Sequence, residues 1–213
     1  MHKLIKQFLA VLLLAPLAFS AMAQPEKFVA GTHYTVLPSP VKTNNPNKIE
    51  VVEVFWYGCA HCFRFEPLVE DWESKIAADV DFVRFPGMWN ELMDVHAQAF
   101  YTAEALGKLK ELHNPLFNAI NVEGQRLQNE QQLSVLFAKY GVSPEDFGKA
   151  FNSFSVKTKV NQAKAKMREY QVRSTPNMIV NGKYLISTDD KVRTQQEMLE
   201  VVDFLVNKER NAS

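Results

Sequence analysis

The run Val51-Val52-Glu53-Val54-Phe55-Trp56-Tyr57-Gly58-Cys59-Ala60-His61-Cys62 constrains this chain more than any other stretch. Residues 49–57 place β-branched and aromatic side chains on both faces, the pattern of a central strand covered on both sides. A glycine and a Cys-x-x-Cys follow at once. From Cys59 to Ala78 the apolar period becomes helical, with Phe65, Leu68, Val69, Trp72 and Ile76 on one stripe and Pro67 inside it. A buried strand therefore delivers two cysteines to the first turn of a helix. They are the only cysteines in the sequence. A bridge between residues three apart closes almost no loop and adds little stability. The pair is hard to justify structurally and easy to justify as a thiol–disulfide redox site.

Residues 1–23 have the layout of a signal peptide. His2, Lys3 and Lys6 form a basic start, Phe8 to Phe19 is apolar and uncharged, and Ala21-Met22-Ala23 has the small-x-small cleavage pattern. The apolar run is shorter than the roughly 20 residues of a membrane-spanning helix. The mature chain is thus expected to begin near Gln24 and to be exported to a compartment where disulfides persist. Without Lys3 and Lys6 it carries 22 basic and 24 acidic residues, a net charge of −2. No basic stripe suggests nucleic acid, and no repeat or low-complexity segment is present.

Further along, Tyr34 to Leu37 has strand character and Val80 to Phe85 forms another strand, ended by Pro86-Gly87. Residues 88–173 carry helix signals almost throughout. Trp89, Leu92, Met93, His96, Phe100, Ala103 and Leu106 mark one helix; Leu112, Leu116, Phe117 and Ile120 a second; Leu133, Leu136 and Phe137 a third. Ser143-Pro144 opens a fourth, with Phe147, Phe151 and Phe154 on it, and residues 156–172 form a more polar fifth. After Ser174-Thr175-Pro176, an Asn181-Gly182 between two apolar runs predicts a hairpin. Thr194 to Glu197 is a capping box for a final helix. Strand–helix–strand followed by hairpin–helix is an α/β arrangement on the thioredoxin plan, with an all-helical domain inserted. The expected division is a signal peptide at 1–23, a thioredoxin-like domain at 24–87 and 174–213, and a helical insertion at 88–173.

On these residues the chain resembles the DsbA family of periplasmic thiol:disulfide oxidoreductases. The likeness rests on Glu53-x-Phe55-Trp56-Tyr57, on Cys59-Ala60-His61-Cys62, on the helical insertion, and on Thr175-Pro176 ahead of an Asn-Gly hairpin. One position departs from the family: Ala60 stands where it has proline, which retains a backbone N–H near the sulfurs.

Cys59, at a helix N-terminus, faces unpaired N–H groups and the positive end of the dipole, which favour the nucleophilic thiolate. Cys62, one turn in, is the resolving thiol. His61 between them favours the Cys59 thiolate if cationic, which makes the disulfide more oxidising. Glu53, a carboxylate in an apolar strand, needs a partner or a raised pKa. The resemblance implies that Glu53 assists proton transfer at the inner cysteine, with Arg84 as its candidate basic partner. It also implies that Pro176 is a cis-proline facing the dithiol and that Thr175 presents backbone to an extended peptide. Trp56, Tyr57, Phe63, Met88, Trp89 and Met178 are candidates for an apolar surface around the site, while His33, His96 and His113 are expected to be structural. The implied partners are reduced, unfolded exported proteins and a DsbB-like quinone-linked membrane oxidase. A monomer without cofactor is expected. An isomerase or reductase of the same fold is the alternative. A metal site is disfavoured because no other cysteine is available as a ligand, and a redox-silent peptide binder is disfavoured equally.

Overall fold

Strand β2 (Ile49–Phe55) is buried along its whole length, as its two-sided apolar pattern requires. A computed structural model describes residues 26–212 of the chain; the expected signal peptide at 1–23 lies outside the described residues. Around β2 run β1 (Thr35–Val36), α1 (Ala60–Glu73), β3 (Val80–Pro86), α2 (Glu91–Ala105), α3 (Leu109–Asn121), α4 (Glu130–Ala138), α5 (Pro144–Phe151), α6 (Phe154–Glu169), β4 (Asn177–Val180), β5 (Tyr184–Ser187) and α7 (Gln195–Ala212). The strands form one sheet in the order β1-β5-β4-β2-β3. β2 pairs in parallel with β3 through the α1 crossover, and antiparallel with β4. This is the thioredoxin arrangement, with α2 to α6 inserted between β3 and β4.

Alternation along β2 sorts its side chains between two cores. Val52 and Val54 join the core shared with α2 to α6. Ile49 and Val51 join the core beneath α1 and α7, with Phe65, Val69, Met198 and Leu205. Each fully buried aliphatic or aromatic side chain contributes about 2 kcal/mol, so the register of β2 is strongly specified. Glu53 falls on the α1 side of this alternation, and that places it under the dithiol helix.

At the far end of the hairpin Asn181 and Gly182 both adopt positive φ, 50° and 63°. A Cβ on Gly182 would lie 2.0 Å from the Val41 carbonyl oxygen, so the turn admits glycine there for two reasons. The end of α1, the placing of Trp89 and Phe154, and the cap of α7 differ from the expected ones. Helix α1 ends at Glu73, not Ala78: Ser74 and Lys75 close its last turn, and Val80 N–H bonds Ala77 O as the chain turns into β3. Trp89 precedes α2, because Asn90 caps the helix by accepting the Met93 N–H at 3.0 Å. Phe154 is not on the helix of Phe147 and Phe151. The chain breaks at Asn152 and restarts under the Ser153 cap, leaving Phe154 86% exposed. Thr194 accepts the Glu197 N–H, but the Glu197 carboxylate returns to the N–H of Arg193 instead of that of the cap residue.

Candidate active site

The turn that carries the dithiol follows from close packing at its base. Cys59 N–H bonds Trp56 O at 2.9 Å. A Cβ on Gly58 would meet the Trp56 ring at 2.4 Å, so only glycine fits while that indole stays in place. The indole is held by His96, whose Nδ1 accepts from Trp56 Nε1 at 3.0 Å.

Cys59 is the N-cap of α1, and its Sγ accepts the Cys62 N–H at 3.3 Å. It occupies the place usually taken by serine or aspartate, where a negative side chain meets unpaired N–H groups. Both cysteines are free; Cys59 is partly exposed and Cys62 buried. The Cys62 thiol beside it lowers the Cys59 pKa to about 5; burial opposes this, and Thr175 and the backbone N–H groups of Cys62 and His61 reinforce it. Burial pushes the Cys62 thiol well up, and the neighbouring Cys59 sulfur adds to the effect. The pair is therefore split into an outer thiolate and an inner thiol.

The opposite wall is the Thr175–Pro176 peptide, which is cis. Thr175 O lies 3.5 Å from Cys59 Sγ. That carbonyl contact serves only the protonated sulfur; the Thr175 side chain favours the thiolate, and the balance lies with the thiolate. Asn177 fixes the approach to Pro176 by donating to Ser174 O at 2.6 Å. Of the expected apolar surface, Tyr57, Met88 and Met178 are core residues. Trp56 and Phe63 are half-buried, and Trp89 is 46% exposed.

His61 is exposed and its Nδ1 accepts from Arg64 Nη2 at 3.1 Å. Its carbonyl accepts from Gln195 of α7 at 2.6 Å. Its backbone N–H supports the Cys59 sulfur, while its imidazole is bonded to Arg64.

Glu53 is completely buried. Arg84 lies opposite it in the β2–β3 register and donates from Nε to Glu53 Oε2 at 3.1 Å. The same guanidinium donates to Glu66 at 2.9 Å and to Glu73 at 2.9 Å. One cation thus serves three carboxylates, and among the described residues Glu53 Oε1, Glu66 Oε2 and His113 Nε2 have no hydrogen-bond partner. Burial, then repulsion from Glu66, raises the Glu53 pKa to about 8 against the pull of Arg84. Glu53 stands close enough to Cys62 for its charge to act on that thiol. Near neutral pH it is a carboxylic acid beneath a buried thiol, the arrangement of a proton donor.

Glu66, Glu73, His113 and Tyr57 belong to this network and were not expected there. Glu66 and Glu73 had a signal: Cys62, Glu66, Val69 and Glu73 recur at helical spacing, so two acids share the inner stripe of α1. His113 reaches Glu66 and Tyr57 from α3, across sequence separations that periodicity cannot see.

The family model described as "DSBA-like thioredoxin domain" matches residues 77–200. The chain is 41% identical over 204 residues to a thiol:disulfide interchange protein DsbA of Pseudomonas aeruginosa, covering 96% of each. It is 36% identical to the protein of that name from Burkholderia cepacia, covering 98% of this chain and 97% of the other. Among solved structures, Pseudomonas aeruginosa DsbA superposes with a TM-score of 0.83 at 41% identity, over 87% of this chain and 96% of that one. The oxidoreductase DsbA of Xylella fastidiosa gives 0.80 at 32% identity, over 86% and 98%.

Proposed function

The chain belongs to the DsbA-like thioredoxin family, and from that premise we propose that it oxidises reduced exported proteins by passing them its Cys59–Cys62 disulfide. The observation that carries the reading is the split pair, a capping Cys59 whose thiolate is favoured beside a Cys62 held as a thiol. A disulfide relaxes readily toward that state.

The reaction balances as follows. A substrate thiolate attacks Cys59 Sγ of the disulfide, forming a mixed disulfide and expelling the Cys62 sulfur. Burial makes an inner thiolate costly, so Cys62 takes the proton of Glu53 as it leaves. A second substrate thiol loses its proton and attacks the substrate sulfur of the mixed disulfide. Cys59 departs as a thiolate stabilised at the helix end. Two electrons have passed to the enzyme, the substrate holds a new disulfide, and Glu53 recovers a proton from solvent. Thr175 and Pro176 form the wall along which an extended peptide lies. His61 adds positive charge near Cys59 when protonated.

Location in the periplasm follows from the reading of residues 1–23 as a signal peptide and fits the family. Residues 24–87 with 174–213 are the thioredoxin-like domain, and 88–173 the helical insertion. A DsbB-like quinone-linked membrane oxidase restores the disulfide, an assignment that rests on the resemblance, and the protein is read as a monomer because nothing in its sequence requires more than one copy.

The Cys59 thiolate exists only in the reduced protein, so the reduced form is the more stable. A pKa lowered on folding contributes stability that is complete above the unfolded thiol pKa and is lost as pH falls through about 5. Discounted for solvent exposure, the contribution is on the order of 2 kcal/mol at pH 7. Thermal unfolding of both forms, with the glutathione equilibrium, tests the reading. A more stable oxidised form would favour the reductase alternative.

A further inference from the structure

His113 comes from the helical insertion, yet it touches the network under the dithiol on two sides. Its Nδ1 lies 2.9 Å from the Tyr57 hydroxyl, and its Nε2 lies 3.4 Å from Glu66 Oε2, within ion-pair reach though outside hydrogen-bond geometry. With the hydroxyl donating to Nδ1, the Nε2–H is left facing the carboxylate. The ring is clamped edge-on by Phe55 and Phe117, with centroids 5.0 and 5.2 Å away. Glu66 thus divides its oxygens, Oε1 to Arg84 of β3 and Oε2 toward His113 of α3. A cavity of about 610 Å³ between α1 and α3, lined by Glu66, Glu70, Glu73, Arg84, Lys110 and His113, brings solvent to this side of the network.

We propose that His113 is a positioning residue for the proton transfer at Cys62: by anchoring Glu66 as an anion against Arg84, it keeps Glu53 protonated and able to donate. The inference rests on the reading of Glu53 as the donor. Two carboxylates compete for one guanidinium, and whichever is better supported elsewhere takes the negative charge. Burial works against a charge on Glu66, but the His113 and Arg84 contacts outweigh it and hold its pKa below the ordinary value. Among the described residues Arg84 is the one basic side chain paired with Glu53, whereas Glu66 also has His113 at 3.4 Å. The other charged or titratable groups facing the pair are Tyr57 of the turn after β2, Cys62, Glu70 and Glu73 of α1, and Lys110 of α3. Glu70 is held by Asn114 at 2.7 Å. β4 presents the uncharged Met178 opposite Glu53.

The test follows the Glu53 carboxyl by carbon NMR in the reduced protein, alone, across pH. This readout needs no substrate, so it stands apart from whether the protein oxidises thiols. In Glu66→Gln the Glu53 midpoint falls by about one pH unit, a tenfold loss of proton affinity. His113→Phe shifts it the same way, His113→Gln restores most of it by returning a donor to Glu66, and His113→Phe adds nothing in the Glu66→Gln background. The alkaline limb of the thiol-oxidation rate moves with the midpoint. An unchanged midpoint in His113→Phe, or a shift that adds to that of Glu66→Gln, overturns the proposal. Should His113→Phe fail to fold, an unmoved Glu53 midpoint in Glu66→Gln overturns it equally.

Discussion

Strand β2 buries two carboxylates three residues apart, and they meet opposite conditions. Glu50 is as fully buried as Glu53. Its Oε2 accepts the Asn44 N–H at 2.8 Å and its Oε1 the Tyr170 hydroxyl at 3.5 Å, so neutral donors reach both oxygens. Glu53 shares one arginine with two other acids and leaves an oxygen unpartnered. Alternation sends Glu50 toward Tyr170 of the helical block and Glu53 toward α1 and the cysteines. Burial alone therefore does not mark a functional acid. On the proposed mechanism a contested partner, next to a group that must gain a proton, does.

The largest effect that would sharpen this contrast comes from removing the shared cation. Arg84→Met leaves the buried Glu66 carboxylate without its main counter-charge and Glu53 without its hydrogen-bond donor, and the expected loss is about 3–5 kcal/mol. Denaturant unfolding at pH 7 measures it, and recovery in a Glu66→Gln background confirms that the cost is uncompensated charge. A loss under 1 kcal/mol would mean that the acids are neutral without Arg84.

Glu53→Gln keeps shape but removes the proton. Cys62 release from the mixed disulfide is then expected to slow by about 10²-fold, the range for a positioned general acid. Stability moves the other way as pH rises from about 4.5 to about 8. A carboxyl whose pKa is raised on folding contributes stability that is complete below its unfolded value and lost as pH rises through about 8. The amide has no such loss, so its stability stays flat where that of the natural protein declines. Stopped-flow exchange and unfolding against pH give both numbers.

Glu50→Gln is the control that would break the comparison. It weakens the ties to Asn44 and Tyr170, at a cost of about 1–2 kcal/mol, while the rate and pH profile of thiol oxidation stay as they are. A change in that profile would show that any buried acid in β2 serves the site equally.

Much of this was legible because strand and helix periods are local. The alternation of residues 49–57, the Ser143 cap and the Asn181-Gly182 turn each follow from neighbours in sequence. Their apolar character assigns Trp89 to α2 and Phe154 to α5, although Asn90 and Ser153 are the N-caps at which α2 and α6 begin. Arg84 was within reach, since it needs only the parallel register of β2 and β3. His113 was not: Leu112, Leu116 and Phe117 show which face of α3 is buried, but not that Tyr57 and Glu66 stand opposite. The insertion and the dithiol meet through tertiary packing alone.

His61 carries the smallest expected effect, and the comparison says why. Glu53 acts in a buried site where charge is poorly screened, whereas the His61 imidazole is exposed and turned to Arg64. The supports for the Cys59 thiolate are the Cys62 thiol, Thr175 and the N–H groups of the first helical turn, none of which a His61→Ser change removes. The Cys59 pKa, read from thiolate absorbance against pH, is therefore expected to rise by less than about one unit. The rise should shrink at high salt. A larger rise that survives salt would mean that the imidazole leaves Arg64 and bonds the sulfur directly. An unchanged pKa would leave the helix end and Cys62 as the whole source of the thiolate.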